Sequence, residues 1–339
     1  MNSKYFCVIG FGHIGKKHVE EIIAHPFCEL TAIIENNPEN YTEAQNMYGE
    51  KIPIFKHFNE FLNANVFNEI ISICIPNGLH AKYAALGLKH GYHVLVEKPL
   101  CLNSNEGNEL IQLAELFNRN IFVVKQNRFS PSVKWMKSIV DLSIVGKIQL
   151  VQINCFWNRD DRYYKKGSWR GTKDLDGGPL YTQFSHFIDI MYWVFGDIQD
   201  IEASFYKFNS NLSTEFEDSG IVKFKFNNGG LGTFNFSTAI WNANFESSIT
   251  VIGEKGTFKI GGQYMNKIEY CHIQDYNPPS IEENNFANNY GDYTGSASNH
   301  FQIYDNVVMC LNGKEQIAID AHDGVKVVEI IEKIMNSKK

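Results

Sequence analysis

The sequence predicts an α/β protein with two domains, the first a doubly wound parallel sheet and the second an α+β domain with an open, mostly antiparallel sheet. The chain has 339 residues, a length typical of two domains. Up to about residue 125, short apolar runs alternate with stretches of helical spacing, which indicates a parallel sheet covered on both faces. After about residue 200 the apolar period is near two, as in antiparallel strands. We therefore predict domains at 1–125 and 126–339, with a closing helix that can pack back on the first.

Five runs rich in β-branched and aromatic residues are the predicted strands of the first domain. They cover residues 5–9, 30–35, 70–75, 93–97 and 121–125. Helical spacing lies between them, for example at Ile14, His18 and Ile22. Right-handed crossovers through these helices give a doubly wound sheet.

The second domain opens with helical spacing near residues 133–140 and a long strand at 148–157. A loop rich in charge and aromatic rings follows. One helix is predicted from Pro179 to Phe195, because Pro suits a first turn and Gly196 suits the residue after a helix. The later predicted strands cover 202–208, 220–226, 232–238, 247–252 and 257–260. Residues 275–298 are polar and predicted as loop, and helices at 300–311 and 324–336 close the chain.

Composition excludes several classes of protein. The 31 basic and 38 acidic residues give a net charge of -7, which does not predict a nucleic-acid surface. No apolar run is long enough to span a membrane, and the N-terminus lacks a signal-peptide layout. The seven cysteines are scattered, as expected of free thiols in the cytoplasm. No Cys/His spacing typical of a metal site occurs, so no metal is expected.

Aromatic residues recur along the later strands and admit two interpretations, a sheet core or a sheet-to-sheet oligomer face. They are Phe205, Tyr206, Phe208, Phe224, Phe226, Phe234 and Phe236. RNA binding by such rings is disfavoured without accompanying basic residues.

A glycine-rich turn joins the first predicted strand to the first helix. It reads Gly10-Phe11-Gly12-His13-Ile14-Gly15, and glycines here let a pyrophosphate approach the helix N-terminus closely. Glu35 ends the second strand at the spacing of a carboxylate that accepts both ribose hydroxyls of NAD and repels the 2′-phosphate of NADP. The alternative is a glycine turn without ligand. The context favours a Rossmann domain that binds NAD.

Two further motifs follow predicted strands of the same sheet. Pro76, Asn77 and His80 come after the third strand, at the edge where open α/β folds bind ligands. Glu97-Lys98-Pro99 ends the fourth strand, and a partly desolvated lysine there can act as acid or base. The structural alternatives are that Pro76 only ends the strand, that His80 is a surface residue, and that Glu97 and Lys98 form a solvated charge pair.

The fourth motif lies in the second domain, where Trp169-Arg170-Gly171 precedes the helix predicted at 179–195. Thr182, His186 and Asp189 are spaced to share one face of that helix. Taken alone, a helical histidine is more often a core residue than a catalyst.

These four motifs, in this order, resemble the glucose–fructose oxidoreductase, inositol dehydrogenase and MocA (Gfo/Idh/MocA) family over nearly the whole chain. The resemblance implies that Lys98 is the active-site lysine and that His186 faces the substrate hydroxyl. It implies dimers or tetramers formed through the C-terminal sheet. The implied NAD contacts are Gly10, Phe11, Gly12, His13, Ile14, Gly15, Glu35, Pro76, Asn77, His80, Glu97, Lys98 and Gln126.

One position departs from the polyol-oxidising members of that family, which carry Asp four residues before the histidine. Here that position is Thr182, followed by Gln183. The Thr-Gln-x-x-His pattern is similar to the branch that acts on nucleotide-linked sugars, such as the UDP-N-acetyl-glucosaminuronate 3-dehydrogenases. The implied substrate-binding residues are Lys98, Trp169, Arg170, Thr182, Gln183 and His186.

The leading hypothesis is therefore an NAD-dependent sugar dehydrogenase that transfers a hydride at C3, with His186 favoured as base over Lys98. Arg170, with Arg162 or Lys166, could hold a carboxylate or phosphate of the substrate. The alternatives are a glycosidase with transient C3 oxidation, a polyol or inositol dehydrogenase, and a non-catalytic NAD-binding protein.

Overall fold

A computed structural model describes residues 1–262, 264–281, 287–289 and 294–338. The chain divides into two compact units. The first unit contains residues 1–125 and 300–328, and the second contains 126–299 and 329–339. The boundary at residue 125 agrees with the predicted one. The predicted second domain, 126–339, differs from this division at residues 300–328, which pack with the first unit.

The first unit is built on a six-stranded parallel sheet in the order β3-β2-β1-β4-β5-β6. The order reverses direction next to β1, as in a doubly wound fold. Its strands are β1 Lys4–Ile9, β2 Cys28–Ile34, β3 Ile54–Phe55, β4 Ile70–Ile73, β5 His93–Val96 and β6 Ile121–Val123. The sequence missed β3, because two residues are too few to show a period.

Helices cover this sheet: α1 His13–Ala24, α2 Pro38–Tyr48, α3 Phe58–Asn63, α4 His80–Lys89 and α5 Ser104–Phe117. Two more, α9 His300–Leu311 and α10 Ala321–Asn336, come from the end of the chain. Tyr304 of α9 is fully buried edge-on to Phe6 of β1. Gly324 of α10 lies so close to Leu100 that a Cβ would approach it to 2.9 Å. These contacts explain why residues 300–328 belong to the first unit.

The second unit contains helix α6 Pro131–Asp141 and a seven-stranded sheet in the order β13-β12-β11-β7-β10-β9-β8. All pairs are antiparallel except β7 with β10, so the sheet is mixed and mostly antiparallel. The strands are β7 Ile148–Phe156, β8 Ile198–Tyr206, β9 Ser219–Phe226, β10 Leu231–Ser237, β11 Glu246–Gly253, β12 Gly256–Gly261 and β13 Lys267–Ile273. The sequence analysis missed β13.

The loop predicted at 275–298 is wrong in part. A small pair of antiparallel strands, β14 Ala287–Asn289 and β15 Thr294–Ala297, lies within it. Residues 282–286 and 290–293 of that loop are outside the described residues.

The single helix predicted from Pro179 to Phe195 is also wrong, because two helices replace it. They are α7 Pro179–Thr182 and α8 Ser185–Phe195. The Phe184 N–H donates to the carbonyl of Pro179, five residues back, and its ring is fully buried beside Phe236. Burial of this ring widens the turn, which breaks the helix.

The two faces of the seven-stranded sheet have different surroundings. Phe224, Phe226, Phe234 and Phe236 are buried, so the core interpretation holds for them. Exposed apolar residues include Ile221, Leu231, Tyr206 and Phe208, at 60%, 46%, 54% and 68% exposure. Among the described residues, no helix is long and apolar enough to cross a membrane.

Candidate active site

The glycine turn after β1 leaves one open position and two crowded ones. Gly10 has φ +92°, and a Cβ there would lie 2.3 Å from the carbonyl oxygen of Cys74. A Cβ at Gly15 would lie 1.9 Å from the carbonyl oxygen of Gly10. In contrast, a Cβ at Gly12 would meet nothing within 4 Å. Gly12 therefore borders open space directly before α1, where a pyrophosphate can approach the helix N-terminus.

Glu35 closes this turn from the end of β2. One carboxylate oxygen accepts the Phe11 N–H at 2.6 Å, and the other accepts the Asn37 N–H at 2.7 Å. A carboxylate has about four acceptor sites, so acceptors remain for ribose hydroxyls. The Phe11 ring is fully buried, whereas His13 is exposed and Ile14 half-buried. The Phe11 ring is thus not available to a ligand, and contacts of Phe11, His13 and Ile14 with NAD stay predictions.

His80 contacts both turns that carry the next two motifs, the turn after β4 and the turn after β5. Its Nδ1 lies 2.6 Å from the carbonyl oxygen of Pro99, and its Nε2 lies 2.8 Å from that of Ile75. The side chain is 1% exposed, so the alternative of a surface histidine is wrong. Burial lowers the pKa of His80, against the effect of the two carbonyls. Pro76 is half-buried and Asn77 buried at the same turn, and direct NAD contacts of these residues stay predictions.

Glu97 and Lys98 do not form the solvated pair that was the alternative interpretation. The Glu97 side chain is buried, and its carboxylate accepts the Lys98 backbone N–H at 3.1 Å and hydrogen-bonds His18 Nε2 at 3.0 Å. Lys98 itself is half-buried at the carboxyl end of β5. The carboxylate thus holds the backbone that carries the lysine.

In the second unit, Thr182, Gln183 and His186 are buried around the break between α7 and α8. The Thr182 hydroxyl hydrogen-bonds the carboxylate of Asp176, which also accepts the Gly171 N–H at 2.8 Å. Burial raises the pKa of Asp176, against the effect of these hydrogen bonds. Sequence reasoning missed Asp176, although it directly precedes the Gly177-Gly178-Pro179 helix start.

Asp189 lies one turn after His186 on α8 and contacts Arg128. Arg128 holds it in a buried two-point ion pair, with Nε–Oδ2 at 2.9 Å and Nη2–Oδ1 at 2.6 Å. The predicted face shared by Thr182, His186 and Asp189 is wrong for Thr182, which the break between α7 and α8 separates, whereas His186 and Asp189 lie three residues apart on α8. Gln126, an implied NAD contact, is buried just before Arg128.

Two arginines stack on one tyrosine in the loop before α7. The guanidinium carbon of Arg170 lies 4.4 Å from the centre of the Tyr163 ring and 5.4 Å from that of Trp169. Arg159, missed in the sequence analysis, lies 5.1 Å from the same tyrosine ring. Arg162 is exposed and pairs with Asp160, and Lys166 is exposed. The partly buried positive charge is thus concentrated on Arg159 and Arg170.

The first unit fits a dinucleotide. Its parallel sheet, the open space at Gly12 and the Glu35 carboxylate would hold the pyrophosphate and a ribose of NAD, which accepts or returns a hydride. Fold and site together define an NAD-dependent oxidoreductase. Residues 4–124 match the oxidoreductase family with an NAD-binding Rossmann fold, and residues 133–259 match the GFO/IDH/MocA C-terminal domain. The chain belongs to the Gfo/Idh/MocA family, which confirms the resemblance, the fold class and the cofactor.

Two solved structures are similar over almost the whole length. The WlbA dehydrogenase from Bordetella pertussis, in complex with NADH and UDP-GlcNAcA, is 28% identical, with 99% of this chain and 96% of that chain covered and a TM-score of 0.87. WlbA from Chromobacterium violaceum, with the same ligands, is 28% identical, with 99% and 94% covered and a TM-score of 0.88.

A curated relative gives the same picture from sequence. Oxidoreductase P35 of Formosa agariphila is 26% identical over 258 residues, which are 74% of this chain and 78% of that protein. Together with the family match, these similarities make the chain an enzyme, an NAD-dependent sugar oxidoreductase.

Proposed function

We propose that this enzyme transfers a hydride between NAD and C3 of a nucleotide-linked sugar, with UDP-GlcNAcA as the first candidate. The observation that carries the proposal is the similarity to two WlbA dehydrogenases over 99% of this chain. The Thr182-Gln183 pair before His186, in place of the Asp of polyol-oxidising members, supports the same branch.

The proposed chemistry needs one acid and one base at the reacting hydroxyl. Bound NAD would take up the hydride from C3, and His186 would accept the hydroxyl proton, so that the hydroxyl would become a ketone. The ammonium of Lys98 polarises that oxygen. We assign the base to His186, because an imidazole titrates close to neutral pH.

Buried polar atoms beside His186 support a polar ligand in this part of the second unit. Neither amide atom of Gln183 has a hydrogen-bond partner among the described residues, and the same holds for the Ser185 hydroxyl. Both side chains are buried, and an unsatisfied buried polar group costs about 1–3 kcal/mol. Hydroxyl groups of a bound sugar would satisfy these atoms.

The positive charge of Arg170, with Arg159 beside it, supports an anionic substrate. Guanidinium groups bind carboxylates and phosphates in two-point contacts, and a UDP-uronate carries both kinds of anion. Trp169 and Tyr163 hold the Arg170 side chain by stacking, which reduces the entropy lost on binding. UDP-GlcNAc, which lacks the carboxylate, is expected to bind more weakly than UDP-GlcNAcA.

The test is a turnover assay with purified protein, NAD and UDP-sugars, read by NADH absorbance. Lys98→Ala and His186→Ala should each lower turnover of UDP-GlcNAcA by about 10²-fold, as loss of a general acid or base does. Lys89→Ala and His322→Ala are the matched controls, because both residues are exposed on helices away from these motifs.

Normal turnover by both Lys98→Ala and His186→Ala would overturn the assignment of the acid and base. Release of aryl groups from aryl glycosides without net NADH would replace the proposal by the glycosidase alternative.

We propose that a second copy of the chain covers the exposed face of the seven-stranded sheet, as a dimer or as part of a tetramer. The exposed apolar side chains of Ile221 and Leu231 support this arrangement. A cytoplasmic location is also proposed, and free thiols at all seven cysteines are compatible with it.

A further inference from the structure

A chain of buried hydrogen bonds in the first unit ends at the backbone of Lys98. His18, in the second turn of α1, places Nε2 3.0 Å from one oxygen of the Glu97 carboxylate. The other oxygen of that carboxylate accepts the Lys98 N–H at 3.1 Å. His18 is fully buried and Glu97 is 5% exposed, so water does not compete for these hydrogen bonds. Two atoms of one carboxylate thus join α1 to the turn that carries the lysine.

The other ring nitrogen of His18 is also held by hydrogen bonds. Its Nδ1 lies 2.8 Å from the Ser72 hydroxyl of β4 and 2.8 Å from the Tyr304 hydroxyl of α9. Both of these residues are fully buried. The imidazole ring therefore has one orientation, set by the central strand β4 and by helix α9.

The charges of the cluster favour an ion pair at its centre. Burial alone would lower the pKa of His18, but Cys74 and Glu97 raise that pKa to about 10. Burial alone would raise the pKa of Glu97, but the hydrogen bond from His18 and the nearby His300 hold that pKa well below its usual range. The pKa of His300 is lowered, mainly by burial. The directions of these shifts, with the 3.0 Å separation of His18 Nε2 and the Glu97 carboxylate, favour a charged pair of these two side chains.

We propose that His18 and Glu97 are positioning residues for Lys98. The ion pair fixes the Glu97 side chain, and Glu97 fixes the peptide N–H of Lys98, so that the ammonium is held where the reaction needs it. This inference rests on the proposed function, because it takes Lys98 to be the group that acts on the substrate. It also means that Glu97 links Lys98 by buried hydrogen bonds to α1, the helix that begins at the glycine turn.

His300 sets the alternative that an experiment must distinguish. Its Nε2 lies 3.5 Å from the same Glu97 oxygen, and neither ring nitrogen makes a hydrogen bond within the described part of the chain. Ligand atoms of His18, Glu97 and His300 all lie within 4.8 Å of one another, close enough for a metal ion. The 3.0 Å separation of His18 and Glu97 is that of a charge-assisted hydrogen bond, which favours a proton between them.

Two substitutions of His18 separate its two hydrogen-bonding sides. In His18→Gln the amide can replace Nε2 and still donate to Glu97, whereas the shorter side chain of His18→Asn reaches only Ser72 and Tyr304. We expect His18→Asn and Glu97→Gln to lower kcat by about tenfold or more with unchanged NADH affinity, because misplacing a catalytic group by about 1 Å is this costly. We expect His18→Gln to restore most of that loss. The amount of NADH bound per chain reports the folded fraction of each variant.

A second measurement needs no substrate. Lys98 is labelled with acetic anhydride over a range of pH, and peptide mass spectrometry gives the pH at which its amine becomes reactive, with Lys89 as internal control. We expect this midpoint to shift in His18→Asn and Glu97→Gln, to stay near that of the unchanged protein in His18→Gln, and to stay constant for Lys89.

An unchanged midpoint for Lys98 in both His18→Asn and Glu97→Gln would overturn the inference, even if their stability falls. One zinc ion per purified chain, lost on His300→Ala, would overturn it in favour of a metal site. Normal turnover by Lys98→Ala would overturn the role proposed for Lys98 in the reaction instead, and the labelling result would still decide whether the pair controls the lysine.

Discussion

At the scale of single residues, two buried glutamates at strand ends hold backbone amides of the turns that carry the predicted site. Glu35 accepts the N–H groups of Phe11 and Asn37, and Glu97 accepts that of Lys98. Glu35 thus holds both the turn after the neighbouring strand β1 and the turn after its own strand β2, whereas Glu97 holds the turn after its own strand β5. A carboxylate is suited to this work because it accepts several hydrogen bonds and cannot donate when ionised.

Glu35→Gln tests the first of these glutamates. The amide can accept one N–H, but its NH₂ group faces the other N–H as donor against donor. A hydrogen bond to a charged group contributes about 1.5–3 kcal/mol, so NADH affinity should fall by about 10- to 100-fold. Discrimination against NADPH should fall as well, because the negative charge that repels its 2′-phosphate is gone. Fluorescence titration with NADH and NADPH measures both effects.

The control is Glu39→Gln, at an exposed position in the first turn of α2. NADH binding as tight in Glu35→Gln as in Glu39→Gln would show that the Glu35 carboxylate does not take part in holding NAD.

At the scale of elements, the sequence predicted those strands and helices whose apolar pattern extends over enough residues to be recognised. The five longer strands of the first sheet were predicted at nearly their observed positions, because their side chains are buried on both faces. The break between α7 and α8 could not be predicted, since it depends on the burial of Phe184 against strands that lie far away in the chain.

The same limit applies to the site. The sequence predicted the glycine turn from motif spacing and implied roles for Lys98 and His186 through the family resemblance, and those two roles stay predictions. It did not predict that His18 would hydrogen-bond Glu97, 79 positions away, or that Asp176 would hydrogen-bond Thr182. The first pair forms only when the fold brings α1 to the end of β5, and the second depends on the conformation of the turn before α7, so a single sequence shows neither arrangement.

The glycine turn makes a prediction at this scale, because one substitution has two different outcomes at neighbouring glycines. Gly12→Ala should weaken NADH binding by about tenfold or more, since the methyl group fills the space that the pyrophosphate needs. Its effect on the unfolding free energy should stay below about 1 kcal/mol, because Gly12 has φ -71° and no neighbour within reach of a Cβ. Thermal unfolding without NAD and NADH titration measure the two quantities.

Gly15→Ala is the matched comparison. Its Cβ would meet the Gly10 carbonyl oxygen at 1.9 Å, so the turn must shift and the melting temperature should fall clearly. Equal melting temperatures for the two variants would contradict this separation of a binding glycine from a packing glycine.

At the scale of the whole molecule, one face of the seven-stranded sheet leaves apolar side chains exposed to solvent. Its outward side carries Ile221 and Leu231 on adjacent strands, together with charged pairs such as Lys223–Glu202. Apolar side chains surrounded by polar ones on a protein surface are typical of an interface, which has an apolar core and a polar rim. A second copy of the same chain offers the same mixed surface, which a two-fold axis makes self-complementary.

Ile221→Lys tests whether this face is the interface. The new ammonium would lie near Lys223 and would place a further positive charge in the proposed interface, so self-association should weaken by about tenfold or more. Sedimentation velocity over a range of protein concentrations measures the shift from dimer or tetramer to monomer. Leu116→Lys is the control, because Leu116 is 75% exposed on α5 of the first unit. Identical sedimentation of Ile221→Lys and the unchanged protein, or an unchanged protein that is already monomeric, would show that this sheet face remains open to solvent.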